Sequence, residues 1–210
     1  VARQTKERAE QTRETILDAA TQVFFARGVA RSSLEEVARS AGVTRGAVYW
    51  HFRDKIDLFA AVEERLRAPQ EAQLIALNRS APRDPLGELE RVIIKTLTQI
   101  ATDENIRIQM TVVLLRVDDT AEMAPALARQ AQYQRRFSDG VRSYFRNVVP
   151  PPAAGCDWTP EMAAQVLHAL VHGTILHALR FPREYPLQTH GVSVVRAFMK
   201  ALRRSWTRSR

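Results

Sequence analysis

Apolar residues recur at helical spacing along this chain from one end to the other, and no alternating β-branched run bounded by turns interrupts them. That pattern restricts the fold to packed helices. The expected fold class is all-α, with about nine helices. The first covers about residues 7–27, with Ile16, Ala19, Ala20, Val23 and Phe24 as its apolar stripe and Gly28 as its end. Two short helices follow at about 34–41 and 45–51. A fourth starts after Asp54 and runs through Leu58, Phe59, Val62 and Leu66. Pro69 interrupts it. A proline inside a helix removes a hydrogen bond and crowds the preceding turn, at a cost of about 3 kcal/mol. A kink near Arg67, or a break, is therefore expected, either as a hinge or as a local bend. Residues 79–85 form a linker. Further helices are expected over about 86–100, 104–117, 123–149, 159–180 and 187–206, with Pro125 tolerated in a first turn. Pro150-Pro151-Pro152 stiffens one connecting loop.

Residues 33–55 carry the most specific chemistry. Ser33 followed by Glu36 is a capping box, in which each side chain satisfies a free N–H at a helix start. Leu34, Val37, Ala38 and Ala41 give the short helix one buried face, and Gly42 tolerates the left-handed conformation that ends it. Thr44 caps the next helix. Two short helices joined by a glycine-containing turn form a helix-turn-helix. Arg45 opens the second helix, where a recognition helix meets base edges and phosphates. Gly46 lets a phosphate approach the backbone. Tyr49, Trp50 and His51 are polar-tipped rings suited to phosphate oxygens or a thymine methyl. Lys55 follows as a phosphate-neutralising charge. Val48 and Phe52 read as core. The expected DNA-contacting set is Ser33, Thr44, Arg45, Gly46, Tyr49, Trp50, His51 and Lys55. The competing view is that the rings merely fill a core. A recognition helix that exposes Tyr, Trp and His is costly without a partner.

Charge agrees with this reading without establishing it. The net charge is +8. Residues 1–55 hold ten basic and seven acidic side chains, residues 56–184 fifteen and sixteen, and residues 185–210 six and none. Most of the surplus thus belongs to a basic tail that includes Arg203, Arg204, Arg208 and Arg210. It reads as solvated and frayed, adding at most salt-sensitive nonspecific attraction to DNA. A single cysteine, Cys156, excludes a disulfide framework within one chain and fits a reducing cytoplasm. The N-terminus is charged and lacks the apolar core of a signal peptide. The stretch 163–179 contains Gln165, His168, His172 and His177, and reads as too polar and too short for a membrane span.

The run Gly42-Val43-Thr44-Arg45-Gly46-Ala47-Val48-Tyr49-Trp50-His51-Phe52, with Asp54-Lys55 and Leu58-Phe59 after it, resembles the TetR family of bacterial transcription regulators. The form Thr-Arg-Gly-Ala-Val-Tyr-Trp-His-Phe is similar to the AcrR-like and TtgR-like repressors of multidrug efflux pumps. The resemblance is strong over residues 8–66 and weaker beyond, where Asp84-Pro85-Leu86 and residues 118–123 match comparable turns. It implies a DNA-binding domain over residues 1–55 and a ligand-binding and dimerisation domain over 56–210. It implies a palindromic double-stranded operator, a small hydrophobic effector, no cofactor, no membrane and a homodimer paired through helices eight and nine. Ala164, Leu167, Leu170, Val171, Val194, Val195, Phe198 and Leu202 are the apolar candidates for that interface.

By the same resemblance, the effector is lined by Leu66 from helix four and by Leu89, Val92, Ile93 and Thr96 from helix five. Helix six adds Met110, Val113 and Leu114, helix seven Phe137 and Val141, and helix eight His168, Val171, His172 and Ile175. Each apolar member reads equally as plain core. Met110, Leu114 and His172 replace side chains of other polarity in the TtgR-like relatives, which implies a greasier pocket. His168 and His172 share one helical face at a zinc-compatible spacing, but no third ligand accompanies them and no metal site is expected. A rival reading as an enzyme finds no paired carboxylates, phosphate loop or nucleophile triad. Activator and repressor are not distinguished by sequence.

Overall fold

Caps written into the sequence place several of the helix starts. The computed structural model describes the backbone of residues 2–207 and side chains from Lys6 to Thr207. The described residues contain nine α-helices, one π-helical turn and no strand. The helices are α1 (Ala2–Arg27), α2 (Leu34–Ala41), α3 (Arg45–His51), α4 (Lys55–Arg79) and α5 (Pro85–Thr102). They continue with α6 (Glu104–Leu115), α7 (Ala124–Asn147), α8 (Pro160–Arg180) and α9 (Val192–Thr207). Ser33 Oγ accepts from Glu36 N (3.2 Å), and the Glu36 carboxylate accepts from Ser33 N (2.9 Å), so the capping box of α2 is complete. Gly42 ends α2 at φ 66°, in the left-handed region glycine enters without a Cβ penalty. Thr44, Asp84 and Thr159 cap α3, α5 and α8 through their side chains.

The helices depart from the sequence expectation in several places, with α1 beginning at Ala2 instead of about residue 7 and α6 ending at Leu115 instead of about 117. α4 runs unbroken through Pro69, so the expected break does not occur. Helix nine also begins late. Residues Leu187–Gly191 form a π-helical turn before α9. Gly191 ends this turn at a close approach, where a Cβ would lie 2.7 Å from Leu187 Cδ1 and 3.0 Å from Thr174 Cγ2.

The chain forms two compact units. One combines residues 2–68 with Ile108–Ala131, the other Pro69–Arg107 with residues 132–207. The sequence division after residue 55 falls inside the first. The core of this first unit joins Ile16, Leu17, Phe24, Val37, Val48, Leu58, Phe59 and Val62 with Val112, Met123 and Ala126. Phe24 and Phe59 meet edge to face with centroids 6.1 Å apart. Val29 N donates to Arg116 O (2.9 Å), tying the α1–α2 turn to the end of α6. The seven residues of α3 are too few for a stable isolated helix. Its fixation comes from Val48 and Phe52, both buried, each contributing about 1.5–3 kcal/mol.

In the second unit, α5 packs against α9 and the π-helical turn, and α8 packs against both of these. Gly140 lets α7 and the second half of α4 approach closely, since a Cβ there would lie 2.6 Å from Leu74 Cδ2. Asn78 Nδ2 donates to Gly140 O at the same crossing (3.1 Å). Tyr144, fully buried, donates its hydroxyl to Pro85 O (2.9 Å). α9 is not a frayed tail as far as Thr207. Trp206 is buried and its Nε1–H donates to Pro150 O (2.8 Å). Arg203 is held by Asp84 (3.0 Å) and Glu90 (3.4 Å). Arg208 and Arg210, counted above in the basic tail, lie outside the described residues.

Candidate nucleic-acid interface and sensor helices

α3 divides its side chains cleanly. Val48 faces the core, while Trp50 is 72% and Tyr49 45% exposed. Thr44, Arg45 and Gly46 are also exposed, and a Cβ at Gly46 would meet only Thr44 Oγ1, at 3.8 Å. These five residues therefore form one outward surface around the helix start. His51 is half-buried, with its ring edge to face on Trp50 (centroids 4.5 Å) and tilted on Phe52. Burial, then the nearby Arg13, pushes its imidazole below the ordinary value, which favours the neutral ring at neutral pH.

Arg45 is not a loose charge. Its Nε lies 3.0 Å from Glu35 Oε1, one terminal nitrogen donates to Tyr49 Oη (3.3 Å), and the guanidinium sits 5.2 Å from the Tyr49 ring centroid. The Tyr49 hydroxyl, then Glu35, raises its pKa further above the ordinary value. Glu35 went unnoticed in the sequence because its partner sits on the next helix.

Ser33 and Lys55 are placed differently from the other candidates. Ser33 is engaged by the capping box. The Lys55 side chain is only 14% exposed, and its ammonium donates to Ala30 O (2.5 Å) and pairs with Glu122 (2.9 Å). The lysine expected to be a free phosphate contact thus also fastens the start of α4 to the α1–α2 turn and to the α6–α7 connection. Asp54 accepts from Asp57 N (2.8 Å) at the same helix start.

A buried charged cluster escaped the sequence reading as well. Glu63 and Arg67 on α4 are both buried and pair at 3.1 Å, and Arg129 of α7 stands 3.8 Å from Glu63 while donating to Ile56 O (3.3 Å). Burial pushes the Glu63 carboxyl up, opposed by Arg67, Gln130 and Arg129. A helical-periodicity count treats these positions as polar surface, so only the packing finds them.

The expected effector-lining residues fall in both units. Leu66, Met110 and Val113 are buried and Leu114 is half-buried in the first. In the second, Leu89, Val141 and Ile175 are buried, while Val92, Ile93, Thr96, Phe137, His168, Val171 and His172 are half-buried. The second unit also contains an aromatic row: Tyr133 stacks on Phe137 (5.9 Å), Phe137 meets His168 (5.7 Å), and His168 faces His172 (6.2 Å). Burial lowers the pKa of both histidines, and for His168 the neighbouring His172 adds to it. Among the described residues no group of three or more His, Cys, Asp or Glu is gathered as a metal site.

α8 carries two corrections. It is long and apolar enough to cross a membrane by length and composition, although about a third of that stretch is buried in the fold. Of the eight residues expected at a dimer interface, Ala164, Leu167, Val195 and Leu202 are buried within the protomer itself. The apolar side chains left outward on and beside α8 are Met162, Val166 and Phe181.

Residues 16–62 match the family model described as bacterial regulatory proteins, tetR family. The chain is 38% identical over 204 residues to the HTH-type transcriptional repressor BepR of Brucella suis, covering 96% of each protein. The chain belongs to the TetR family. Among solved structures, the SmeT–triclosan complex superposes with a TM-score of 0.82 at 33% identity, covering 91% of each chain. NalD, the secondary repressor of the MexAB-OprM multidrug efflux pump in Pseudomonas aeruginosa, gives 0.79 at 32%, covering 97% of this chain and 100% of its own. The stretch that matches the family model contains α1 from Ile16 onward, α2, α3 and the start of α4, so the outward face of α3 lies within it.

Proposed function

We propose that this chain is a homodimeric repressor that binds a near-palindromic operator, controls a multidrug efflux operon and leaves DNA when a small hydrophobic effector binds. The observation that carries the reading is the outward Thr44, Arg45, Gly46, Tyr49 and Trp50 surface on a core-fixed α3. The full-length likeness to BepR, and to NalD and SmeT, supports the rest. The reaction is binding, carried out in the cytoplasm where the DNA is. Residues 1–55 read DNA and residues 56–210 sense and dimerise.

In this reading Arg45 meets a base edge, Tyr49 and His51 meet phosphates, Trp50 covers sugar or a thymine methyl, and the N–H of Gly46 faces a phosphate. Lys55 adds a charge near the backbone. The half-buried row Phe137, His168 and His172, with Val92, Ile93 and Thr96, provides the effector's apolar and aromatic wall in the second unit. SmeT, whose complex holds triclosan, supports an aromatic effector. The homodimer forms through the outward faces of α8 and α9, and sets two α3 helices about 34–36 Å apart. Effector and operator then weaken each other's binding by the same factor.

The test is binding to DNA from upstream of the chain's own gene against a scrambled duplex at fixed salt, with and without hydrophobic antimicrobials. Specific binding that a compound releases supports the reading. Equal affinity for both duplexes, or release by none of the compounds, overturns the corresponding half.

A further inference from the structure

We infer that Glu35, on the helix before the recognition helix, is a specificity-determining positioning residue that acts through Arg45. The inference rests on the DNA-reading role proposed for α3.

The geometry leaves Arg45 one free edge. A guanidinium has two donor edges able to grip a base or a phosphate in bidentate fashion, one from Nε and a terminal nitrogen, the other from both terminal nitrogens. In Arg45 the first is occupied. Nε lies against the Glu35 carboxylate at 3.0 Å, and a terminal nitrogen donates to the Tyr49 hydroxyl at 3.3 Å. The Tyr49 ring beneath the guanidinium, 5.2 Å from centroid to carbon, fixes the plane. What remains is the other terminal nitrogen together with the second hydrogen of the one that serves Tyr49, which make the edge suited to O6 and N7 of a guanine. A free arginine at a helix start reaches phosphates and bases alike. Held on two sides, Arg45 loses most of that choice.

Glu35 also has a field of its own. It is an exposed carboxylate on the face from which Arg45 projects, so it repels the phosphates that a loose Arg45 would seek. Removing the charge should strengthen binding to any DNA while weakening the preference for the right one. A purely structural role predicts something else. Glu35 lies in the first turn of α2, where an acid favours the helix dipole, and losing that would lower stability without separating one sequence from another.

The experiment uses the full-length protein with Glu35→Gln, Arg45→Ala and the double variant. Each is measured on its selected operator, on operators substituted at every base pair in turn, and on scrambled DNA, over a salt series, with thermal melting recorded. The expected result for Glu35→Gln is nonspecific affinity raised about threefold and discrimination at one base pair reduced about tenfold. Arg45→Ala should lose discrimination at that same base pair, and the double variant should lose no more than Arg45→Ala alone. A Glu35→Gln protein that discriminates like the parent, or that loses affinity uniformly at every position, overturns the inference. Absence of specific binding by the parent protein overturns instead the reading on which it rests.

Discussion

Lys55 is a single ammonium with two claims on it. Its bonds to Ala30 O and Glu122 join three chain segments, and whatever DNA contact it makes is shared with that task. Lys55→Met should therefore lower both operator affinity and the melting temperature, the latter corresponding to about 2 kcal/mol for losing charged hydrogen bonds of restricted exposure. Paired melting and binding titrations check this, and an unchanged melting temperature would mean that the ammonium is only an exposed phosphate contact. His168 and His172 give a second prediction at this scale. Burial lowers both imidazoles below their unfolded value of 6.5, so the unfolded chain binds the protons more readily. Their neutral forms hold full stability above pH 6.5, and that stability is lost as pH falls through the lowered folded values. His168→Gln with His172→Gln should flatten the decline in denaturation midpoint between about pH 7 and 5. Spacing alone shows His168 and His172 facing each other, and only His168's further partner is hidden. Positions four apart predict a shared face, whereas the tilted contact of His168 with Phe137 comes from another helix.

Elements whose ends are set locally were the legible ones. The bounds of α2 and α3 follow from Ser33, Glu36, Gly42 and Thr44, all within a few residues of the boundary they fix. The π-helical turn at Leu187–Gly191 was not legible, and the Thr174 side chain that crowds its Gly191 comes from α8. Glu63, Arg67 and Arg129 were hidden for the same reason: a charge reads as surface until its neighbours are known. Of the outward surface of α3, the residues could be named from the sequence, whereas Glu35, which pairs with Arg45, could not. Pro69 is the instructive element. The sequence pattern identifies the weak point in α4 and the structure shows the helix surviving it. Pro69→Ala should restore the missing backbone donor and raise stability, by as much as about 3 kcal/mol if no compensating strain exists. Denaturant unfolding measures this. If Pro69 also serves induction, effector concentration for half-release shifts in the same variant, and if it does not that concentration stays where it was.

At the scale of the whole molecule, charge and apolar surface have separate assignments. The excess positive charge was read as a tail, but Arg203 is bound by Asp84 and Glu90, so the described part of α9 contributes less free charge than its composition suggests. Apolar surface is left outward at Met162 and Val166, after Ala164 and Leu167 have been absorbed by the protomer's own core. Val166→Glu places a charge on that face without entering the core. It should shift sedimentation from dimer to monomer and reduce operator affinity at least about tenfold, since one half-site contact is then lost. A dimer of undiminished strength would locate the pairing surface elsewhere.

The division of α3 into a core face and an outward face has a consequence for heredity. Tyr49 and Trp50 can change without disturbing Val48 or Phe52, so variants at these two positions should accumulate as folded protein. In a cell that also carries the parent gene, such subunits would enter mixed dimers with one blind head, and derepression would be dominant. Changes at Val48, Phe52 or Phe24 remove the support without which a seven-residue helix does not persist. Their products should be degraded before assembly, and their effect should be recessive. A screen scored in partial diploids would thus sort the two faces of one short helix by genetics alone.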